Sequence, residues 1–532
     1  MRTRRRRRTF PRAHAGALAV VALLGLAGGL WIEALLRPDA PRLLRRDAPR
    51  GEVLLPSAEP PRLSRAEVER FEPLAYEQGD DEELLERGRD GLAHVLYAKS
   101  PGGVEMTAER VRRFSGGVAR AAERHGVQPD TLAALVFLES AGRPDAIAGG
   151  DPGDAAGLGQ ILPGTATSLL GMRVDLARSR RLTARIGRAE GRALRARLLG
   201  RPTARLDRRI RRLSADRRRV DQRFDPVRAL DGSARYLAFA EQRLGREDLA
   251  VASYHMGVGN LEQVIRLYVA PRPAGGPSRE LVERYELTYA RLFFDSSPLR
   301  NPRTFDRLRE LGDDSRTYVF RHAAAREILR LHDDDPQELQ RLAGLHARKA
   351  SAEEVLRPPD EHEPYAGGAA LREAYGAGEL RPLSGARPAA ALGLRIDRRM
   401  GALARRLDER PVLYRGLRPE ALATLLYIGK ETRRTAGGGS LTVTSTVRDT
   451  RYQRLLVQGN AEATAGYSLH TVGYAVDIAR TFRSPRHARA LVDVLERLRA
   501  LGVIDWVYEP TAIHLTVGPE GERYLPLLGA LP

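Results

Sequence analysis

The residues with the clearest capacity for chemistry are two histidines and an aspartate near the C-terminal end of the chain. Six residues separate His470 from Asp477, and His514 follows further along. The chain contains no cysteine, so a zinc site in it must be built from His and carboxylate ligands. Three such ligands leave one position of a tetrahedral zinc ion open for a water molecule. The nearby Glu509 is a candidate base for that water.

Alternation of apolar and polar residues predicts how these side chains meet. Residues 473–478 and 513–517 both alternate with period two, which is typical of half-buried strands. In each segment the apolar residues share one face, which leaves Asp477 and His514 on the other face. We therefore expect Asp477 and His514 on the open face of one sheet, with His470 in the loop that leads into it.

A second candidate for chemistry is the single carboxyl group of Glu139. Residues 128–142 predict a short, mostly apolar helix with Asp130 at its N-cap and Gly142 at its C-cap. Glu139 then lies in the last turn of a buried helix. Burial and the negative end of the helix dipole both disfavour its ionised form, so its pKa should rise. A carboxyl group that stays protonated near neutral pH is what a general acid needs.

The segments that follow Glu139 resemble those of the SLT-type lytic transglycosylases, which share a lysozyme-like fold. In order they are Glu-Ser at 139–140, Ala-Gly-Leu-Gly-Gln-Ile-Leu-Pro at 156–163 and Ala-Ser-Tyr-His-Met-Gly at 252–257. The resemblance covers about residues 110–270. It implies that Glu139 is the single catalytic acid and base, which protonates the glycosidic oxygen after N-acetylmuramic acid. The same group would then take the proton of the sugar's own 6-hydroxyl, so that a 1,6-anhydro product forms.

The same resemblance implies that Gln160 and Tyr254 line the sugar cleft. The sequence departs from the family at Gly159, where Met is usual, and at His255, where Asn is usual. These substitutions change the expected contacts with the glycan.

Hydrolysis is an open alternative to transglycosylation. The loop between residues 143 and 155 is longer than usual and carries Asp145, Asp151 and Asp154. A hydrolysing lysozyme of the usual kind needs two carboxyl groups beside the scissile bond, and one of these residues could supply the second.

The C-terminal segment is similar to the VanY-type D-alanyl-D-alanine carboxypeptidases and the wider LAS group of zinc peptidases. Their Ser-x-His-x-x-Gly-x-Ala-x-Asp pattern is matched from Ser468 to Asp477. Their Trp/Tyr-Glu-Pro-Trp-His segment is matched from Tyr508 to His514, with two additional residues before the histidine. The similarity covers about residues 435–520 and implies that Ser468 lines the substrate site.

The similarity also implies the roles of the polar residues. His470, Asp477 and His514 would hold the zinc ion, and Glu509 would act as the base. An upstream Ser-x-x-Arg segment would place Arg448 at the substrate's carboxylate or carbonyl oxygen, which a guanidinium binds with two hydrogen bonds.

The N-terminus predicts a membrane anchor. A basic block, Arg2 and residues 4–8, precedes an uncharged apolar run from Ala15 to Ile32 that is just long enough for a bilayer. Because positive charge stays on the cytoplasmic side, the remaining chain should lie across the membrane. The absence of a clear cleavage motif favours a retained, single-pass anchor over a cleaved signal. We therefore expect the catalytic parts on the periplasmic or wall side.

The strong positive charge has several possible partners. The chain carries a formal charge of +20 and its pI is about 10.6, which suits nucleic acid, a membrane surface or an anionic wall polymer. Arginine is scattered along the chain without a compact basic stripe interleaved with aromatic residues, so we expect no nucleic acid as partner. The Arg-dense segment 173–223 is interpreted as a solvated helical hairpin, with a polyanion-binding arm as the alternative.

These observations predict a multidomain fold class: an N-terminal transmembrane helix, a mostly α lysozyme-like domain, and an α+β zinc peptidase domain with a small antiparallel sheet. The predicted boundaries are 1–36 for the anchor, 37–80 for an extended linker, 81–350 for the helical domain with an Arg-rich insertion at 173–223, 351–395 for a second linker, and 396–532 for the peptidase domain. The expected function is a membrane-anchored, bifunctional peptidoglycan-cleaving enzyme. The alternatives are a wall-binding scaffold with inactive sites and a hydrolase of another polysaccharide.

Overall fold

The computed structural model describes residues 63–270, 272, 275–383, 390–459 and 466–530. This part of the chain is mostly helical, with one sheet of five strands and one of two.

The helices of the first half are α1 (Arg65–Arg70), α2 (Asp81–Gly91), α3 (His94–Lys99), α4 (Val104–Arg112), α5 (Ser115–His125), α6 (Pro129–Ser140), α7 (Pro163–Ser168), α8 (Leu176–Leu198), α9 (Ala204–Val220), α10 (Pro226–Leu244), α11 (Glu247–Met256) and α12 (Val258–Val269). Those of the second half are α13 (Ser278–Tyr285), α14 (Tyr289–Phe294), α15 (Pro302–Glu310), α16 (Asp313–Arg316), α17 (Tyr318–Asp334), α18 (Pro336–His346), α19 (Glu353–Leu356), α20 (Gly368–Gly376), α21 (Pro419–Ala436), α22 (Thr450–Val457) and α23 (Pro485–Ala500). The strands are β1 (Arg381–Pro382), β2 (Leu394–Ile396), β3 (Gly416–Leu417), β4 (Leu441–Ser445), β5 (Ala475–Ala479), β6 (Ile504–Tyr508) and β7 (Ala512–Val517). Short 3-10 helices span Gln222–Phe224, Ala402–Leu407, Pro411–Tyr414, Leu469–Val472 and Pro519–Ala530.

Helix α6 carries Glu139 and forms in the predicted segment, but its caps are Gln128 and Ala141, not the predicted Asp130 and Gly142. Pro129 stands in its first turn, where the missing N–H costs nothing. Its apolar residues are buried on all sides, so tertiary packing rather than amphipathicity holds it in place. The helix ends because Ala141 and then Gly142 adopt left-handed backbone conformations. This sharp turn leaves Glu139 at the end of the helix, beside the loop that follows.

The larger sheet has the strand order β2-β4-β5-β7-β6, in which only the β2–β4 pair is parallel. The apolar residues of β5 and β7 are buried, and α21 packs on β7 while α23 packs on β6. In the register of these two strands, Asp477 lies directly opposite His514.

The helical part and the sheet share one hydrophobic core. One cluster of buried residues runs from Val68 through α6, α10 and α17 to the strands and α23. Polar bonds join the same parts: the Lys430 ammonium donates to the Phe71 carbonyl at 2.7 Å, and Arg497 donates to the Phe294 carbonyl at 2.7 Å. Residues 59–532 accordingly form one compact unit.

The predicted fold class is therefore wrong in two respects. Within the ranges that the structure describes, no helix has the length and apolar character needed to span a bilayer. The apolar run that suggested such a helix, from Ala15 to Ile32, lies outside the described residues. The expected separation into domains is absent from residues 59–532, because the shared core leaves no boundary across which few contacts pass.

The segments predicted as linkers contain regular structure. The region between 351 and 395 includes α19 and α20, and α1 lies before residue 80. The individual domain boundaries stay predictions. The Arg-rich segment forms α8 and α9, an antiparallel hairpin whose two helices pack on each other.

Candidate active sites

The carboxyl group of Glu139 lies in a half-buried position at the end of α6. Tyr318, the first residue of α17, donates a hydrogen bond of 2.5 Å to Glu139 Oε1. Burial raises the pKa of Glu139 to about 7, although the Tyr318 hydroxyl and the positive charge of Arg321 both act to lower it. A carboxyl group with a pKa near neutrality can hold a proton at physiological pH, as general acid catalysis requires.

Tyr318 is a residue of this site that sequence patterns do not predict. Burial and the neighbouring Glu139 raise the pKa of Tyr318 well above its usual value, so its hydroxyl remains a donor. The ring of His255 lies 5.3 Å from the Tyr318 ring, and His255 Nδ1 is 2.9 Å from the Ser315 hydroxyl. His255, one of the two departures from the family pattern, thus helps to fix the tyrosine that contacts Glu139.

The second departure, Gly159, is explained by the packing around it. A side chain at this position would collide with the Ser233 hydroxyl and come within 2.8 Å of the Tyr254 hydroxyl. Tyr254 donates to the Gly159 carbonyl at 2.7 Å and lies 3.0 Å from Ser233 Oγ. The two hydroxyls therefore fill the space that a larger side chain would need.

The structure places the two predicted cleft residues differently. Burial and, to a smaller extent, the negative charge of Glu139 raise the pKa of Tyr254. Gln160 has a positive φ of 44°, and its amide nitrogen donates to the carbonyls of Gly157 and Ala146 at 2.9 and 3.2 Å. These two hydrogen bonds from the Gln160 side chain thus stabilise the backbone conformation of the loop that carries it.

A buried ion pair fixes this loop. Arg223 and Asp221 are fully buried and joined at 2.8 Å. The Arg223 guanidinium also donates to the carbonyls of Pro152, Asp154 and Ile161 at 2.6 to 3.1 Å. One guanidinium therefore ties both ends of the loop to the base of the α8–α9 hairpin, as its planar set of five donors allows.

Two of the three acidic residues of the loop form ion pairs with the hairpin. Asp145 accepts from Arg217 at 2.7 Å, and Asp151 accepts from Arg180 at 2.9 Å. The third, Asp154, stays a candidate for the second carboxyl group that an ordinary hydrolysing lysozyme needs.

The second site brings together His470, Asp477 and His514, whose ligand atoms all lie within 4.8 Å of one another. His470 Nε2 is 3.2 Å from Asp477 Oδ1, and His514 Nδ1 is 2.9 Å from the same oxygen. Asp477 and His514 come from paired strands, while His470 lies in the short 3-10 helix before β5. The set offers two imidazole nitrogens and a carboxylate, which suits zinc.

The outer nitrogen of each histidine has an oxygen partner. His470 Nδ1 lies 2.7 Å from the Thr446 carbonyl, and His514 Nε2 lies 2.8 Å from Glu353 Oε2. In metal sites such partners take the outer N–H, which turns the other nitrogen's lone pair inward. The residues present therefore fit a zinc ion. Glu353 stands in α19, outside the predicted peptidase segment, and no motif in the sequence indicates it.

Opposite charges stabilise the ionised carboxylates of this cluster. Burial acts to raise the pKa of Glu353, but hydrogen bonds with His514 and Lys349 outweigh it and lower the pKa to about 2. Burial acts to lower the pKa of His514, but Asp477 and Glu353 outweigh it and raise the pKa to about 10. The acidic and imidazole groups of the cluster thus pair with one another.

Arg448 is engaged inside the protein. Its guanidinium donates to Asp477 Oδ2 at 3.0 Å, to Gln453 Oε1 at 3.1 Å and to Ser445 Oγ at 2.8 Å. It therefore orients the aspartate of the cluster, and the contact with substrate that the resemblance implies stays a prediction.

The remaining predicted residues line one cavity of about 440 Å³ with the three candidate ligands. Ser468 stands at one wall. Glu509 stands in the turn between β6 and β7, where its N–H donates to the Ala512 carbonyl at 2.9 Å. The two additional residues between Glu509 and His514 are accommodated in this turn, which keeps Glu509 at the edge of the cavity.

Comparison with known proteins supports the first of the two sites. Residues 117–183 match the family model of the Transglycosylase SLT domain. This match includes Glu139 and Gln160, and it ends inside α8, where the Arg-rich hairpin begins. It supports lytic transglycosylase activity with peptidoglycan as substrate. No match to a zinc peptidase family accompanies it, and no curated protein matches the chain significantly.

Proposed function

We propose that this protein cleaves the glycan strands of peptidoglycan by lytic transglycosylation, with Glu139 as the only catalytic carboxyl group. The observation that carries the proposal is the environment of Glu139: a buried carboxyl group with a pKa of about 7, hydrogen-bonded by Tyr318, inside the segment that matches the SLT model. This group can both give and take a proton near neutral pH.

The reaction needs Glu139 to give up one proton and then to take up another. Protonated Glu139 donates to the glycosidic oxygen as the bond from C1 of N-acetylmuramic acid to that oxygen breaks. The 6-hydroxyl of the same sugar then forms a bond to C1, and its proton passes to the Glu139 carboxylate. The pairing of Asp145 and Asp151 with Arg217 and Arg180 supports this route over hydrolysis, because guanidinium groups engage both carboxylates and leave Asp154 as the remaining candidate for a second one.

Products from purified sacculi test this proposal. We expect wild-type protein to release muropeptides with 1,6-anhydro ends, and Glu139→Gln to lower their yield by at least about a hundredfold, since general acid catalysis contributes on that order. Glu123→Gln, an exposed glutamate of α5 in the same matched segment, is the control that should retain full activity. Reducing ends in place of anhydro ends, detected by mass spectrometry, would overturn transglycosylation.

We also propose a second activity, cleavage of D-amino-acid stem peptides at a zinc site formed by His470, Asp477 and His514. The convergence of their ligand atoms within 4.8 Å and the oxygen partners of both outer nitrogens favour it. A zinc ion bound there would acidify a water molecule and polarise the peptide carbonyl.

The surrounding residues have separate tasks in this second activity. Glu509, at the edge of the same cavity, would accept the proton of the attacking water. Arg448 holds Asp477 in place and presents positive charge to the substrate's carbonyl or carboxylate oxygen. Ser468 contributes to the wall against which the peptide lies.

Metal analysis tests the second activity independently of the first. We expect about one zinc per chain, and we expect His514→Ala to abolish peptide cleavage while sparing anhydro products. Glu139→Gln should do the reverse. A wild-type protein that binds no zinc and leaves stem peptides intact would reduce the second site to a binding role in a wall-attached scaffold.

The substrate also determines where the protein must act. Peptidoglycan lies outside the cytoplasmic membrane, so we propose that residues 63–530 work on that side. Protease accessibility of the chain in intact spheroplasts is the test.

A further inference from the structure

The Arg-rich hairpin formed by α8 and α9 holds most of the protein's excess charge. Residues 176–220 contain 17 arginines and 3 acidic residues, a net charge of +14 against +20 for the whole chain. Fifteen of these arginine side chains are exposed. The basic surface that appears scattered in the sequence is thus concentrated on one protruding element.

The tip of this hairpin exposes leucines. Leu194, Leu198 and Leu199 are 57%, 77% and 66% exposed, and the first two follow each other at one helical turn. The buried residues of α8 are Ser179, Ile186, Ala189 and Ala193, and none lies beyond Ala193. The leucines at the tip therefore keep most of their surface in contact with water.

The tip has a defined structure. Gly200 takes a left-handed conformation with φ of 66°, and the Arg201 N–H donates to the Ala196 carbonyl at 2.7 Å. Asp207 accepts from Arg197 and from Thr203 at 2.9 and 2.7 Å, which closes the turn between the helices. The leucines are therefore presented outward by a built turn.

The base of the hairpin is fixed to the loop beside Glu139. Ser179 donates to Asp221 at 2.7 Å, and Asp221 pairs with the buried Arg223 that holds the loop. At 1.5 Å per residue, the 23 residues of α8 extend about 34 Å from this base. Other described helices and strands make no extensive contact with the two hairpin helices.

We propose that the hairpin tip, defined as Leu194, Leu198, Leu199 and the arginines beside them, binds the surface of a bilayer that contains anionic phospholipids. The leucines enter the boundary between headgroups and acyl chains, and the arginine stems extend so that their guanidinium groups meet lipid phosphates. This surface role goes beyond cleavage of peptidoglycan at Glu139.

The combination of charge and leucine selects this partner over two others. A hydrated anionic polymer would engage the arginines but would leave three leucines in water. A second copy of the chain would cover the leucines, but two hairpins that each carry +14 repel each other. A bilayer with anionic headgroups satisfies both the apolar and the charged components at once.

The test uses the absence of cysteine in the full-length chain. Leu199→Cys, labelled with an environment-sensitive fluorophore, reports on the tip alone, whatever the N-terminal residues do. Leu299→Cys is the matched control, since Leu299 is 49% exposed and lies outside the hairpin. Vesicles of phosphatidylcholine with phosphatidylglycerol are compared with vesicles of phosphatidylcholine, each with and without a nitroxide-labelled lipid.

We expect a blue shift and nitroxide quenching of the label at position 199 with anionic vesicles only, and no change at position 299. Exposed Arg195, Arg201 and Arg205 replaced by Gln should weaken this binding roughly fivefold per charge. Replacing the leucines at 194 and 198 by Ser in the labelled chain should weaken it by at least about tenfold.

Three results would overturn the proposal. One is an unchanged spectrum at position 199 in anionic vesicles. Another is an equal response at positions 199 and 299, or with neutral vesicles. The third is slower tumbling of the label with soluble polyphosphate but no quenching by lipid-borne nitroxide, which would assign the hairpin to an anionic polymer.

Discussion

The two candidate sites show opposite ways of preparing a group for proton chemistry. At the end of α6, a single carboxyl group is kept apart from other acids, and burial raises its pKa to about 7. At the sheet, two histidines, two carboxylates and Arg448 crowd together, and mutual pairing drives the pKa of Glu353 down to about 2. The first site gains reactivity from isolation. The second holds its charges in a network whose geometry suits a cation.

The largest effect that separates the sites is expected from removing a candidate zinc ligand. His514→Ala deletes one of three ligands and leaves Asp477 and Glu353 without their shared partner. Zinc content, measured by plasma mass spectrometry after dialysis, should fall from about one per chain to background. His332→Ala, a histidine outside the cluster, should keep the metal. Equal zinc content in the two variants would contradict the proposed ligand set.

The isolation of Glu139 should appear as pH-dependent stability. The pKa of Glu139 is about 7 in the folded protein and 4.5 in its ordinary state. Its contribution to the free energy of unfolding is therefore fully present below pH 4.5 and is lost as the pH rises through 7. Glu139→Gln removes this loss. The free energy of unfolding of the variant should therefore increase relative to that of wild type by about 3 kcal/mol between pH 4.5 and 8.5.

Denaturant unfolding of both proteins at these two pH values measures the difference. Glu123→Gln provides the baseline for other titrating groups. If the free energies of unfolding of wild type and Glu139→Gln differ by the same amount at both pH values, the carboxyl group is solvated in the folded protein.

A smaller effect is expected at Glu353, which contacts His514 but not the other two candidate ligands. Glu353→Gln removes the negative charge that receives the outer N–H of His514, and such losses weaken metal binding by about 10 to 100-fold. Competition with a fluorescent chelator gives the affinity. The neighbouring Glu354→Gln is the control, because Glu354 pairs with Arg348. Unchanged affinity in Glu353→Gln would separate α19 from the metal site.

The smallest effect concerns Tyr318. Its hydroxyl stabilises the carboxylate of Glu139, so Tyr318→Phe should raise the pKa of Glu139 further, by up to about one unit. The alkaline limb of the activity profile on sacculi should then move to higher pH. A purely structural role would lower activity equally at all pH values.

The sequence predicts the parts of both sites that depend on local periodicity. Alternation indicates that Asp477 and His514 face the same way, and the strand register places them opposite each other. Apolar spacing and caps likewise predict the helix that ends beside Glu139. Tyr318 and Glu353 are 179 and 161 residues from their partners, and no spacing rule operates over such distances.

Two further features could not be read from the sequence. The Pro, Gly and Ala-rich stretch after residue 351 suggests a linker, but Glu353 and its neighbours pack on the sheet. Their partners are far away in the chain, so local sequence patterns do not indicate this packing. The fully buried Arg223 resembles the exposed arginines before it in sequence, and its buried partner Asp221 and three carbonyl groups distinguish it only in the folded protein.

The shared core has a consequence for how the protein can be divided. If the helical part or the part with the larger sheet were expressed alone, apolar residues that pack between them would be exposed to water. We therefore expect either excised part to aggregate. Thermal melting of the described part of the chain should be a single cooperative event. A part that replaced either of them during evolution would need an apolar surface complementary to the part that remains.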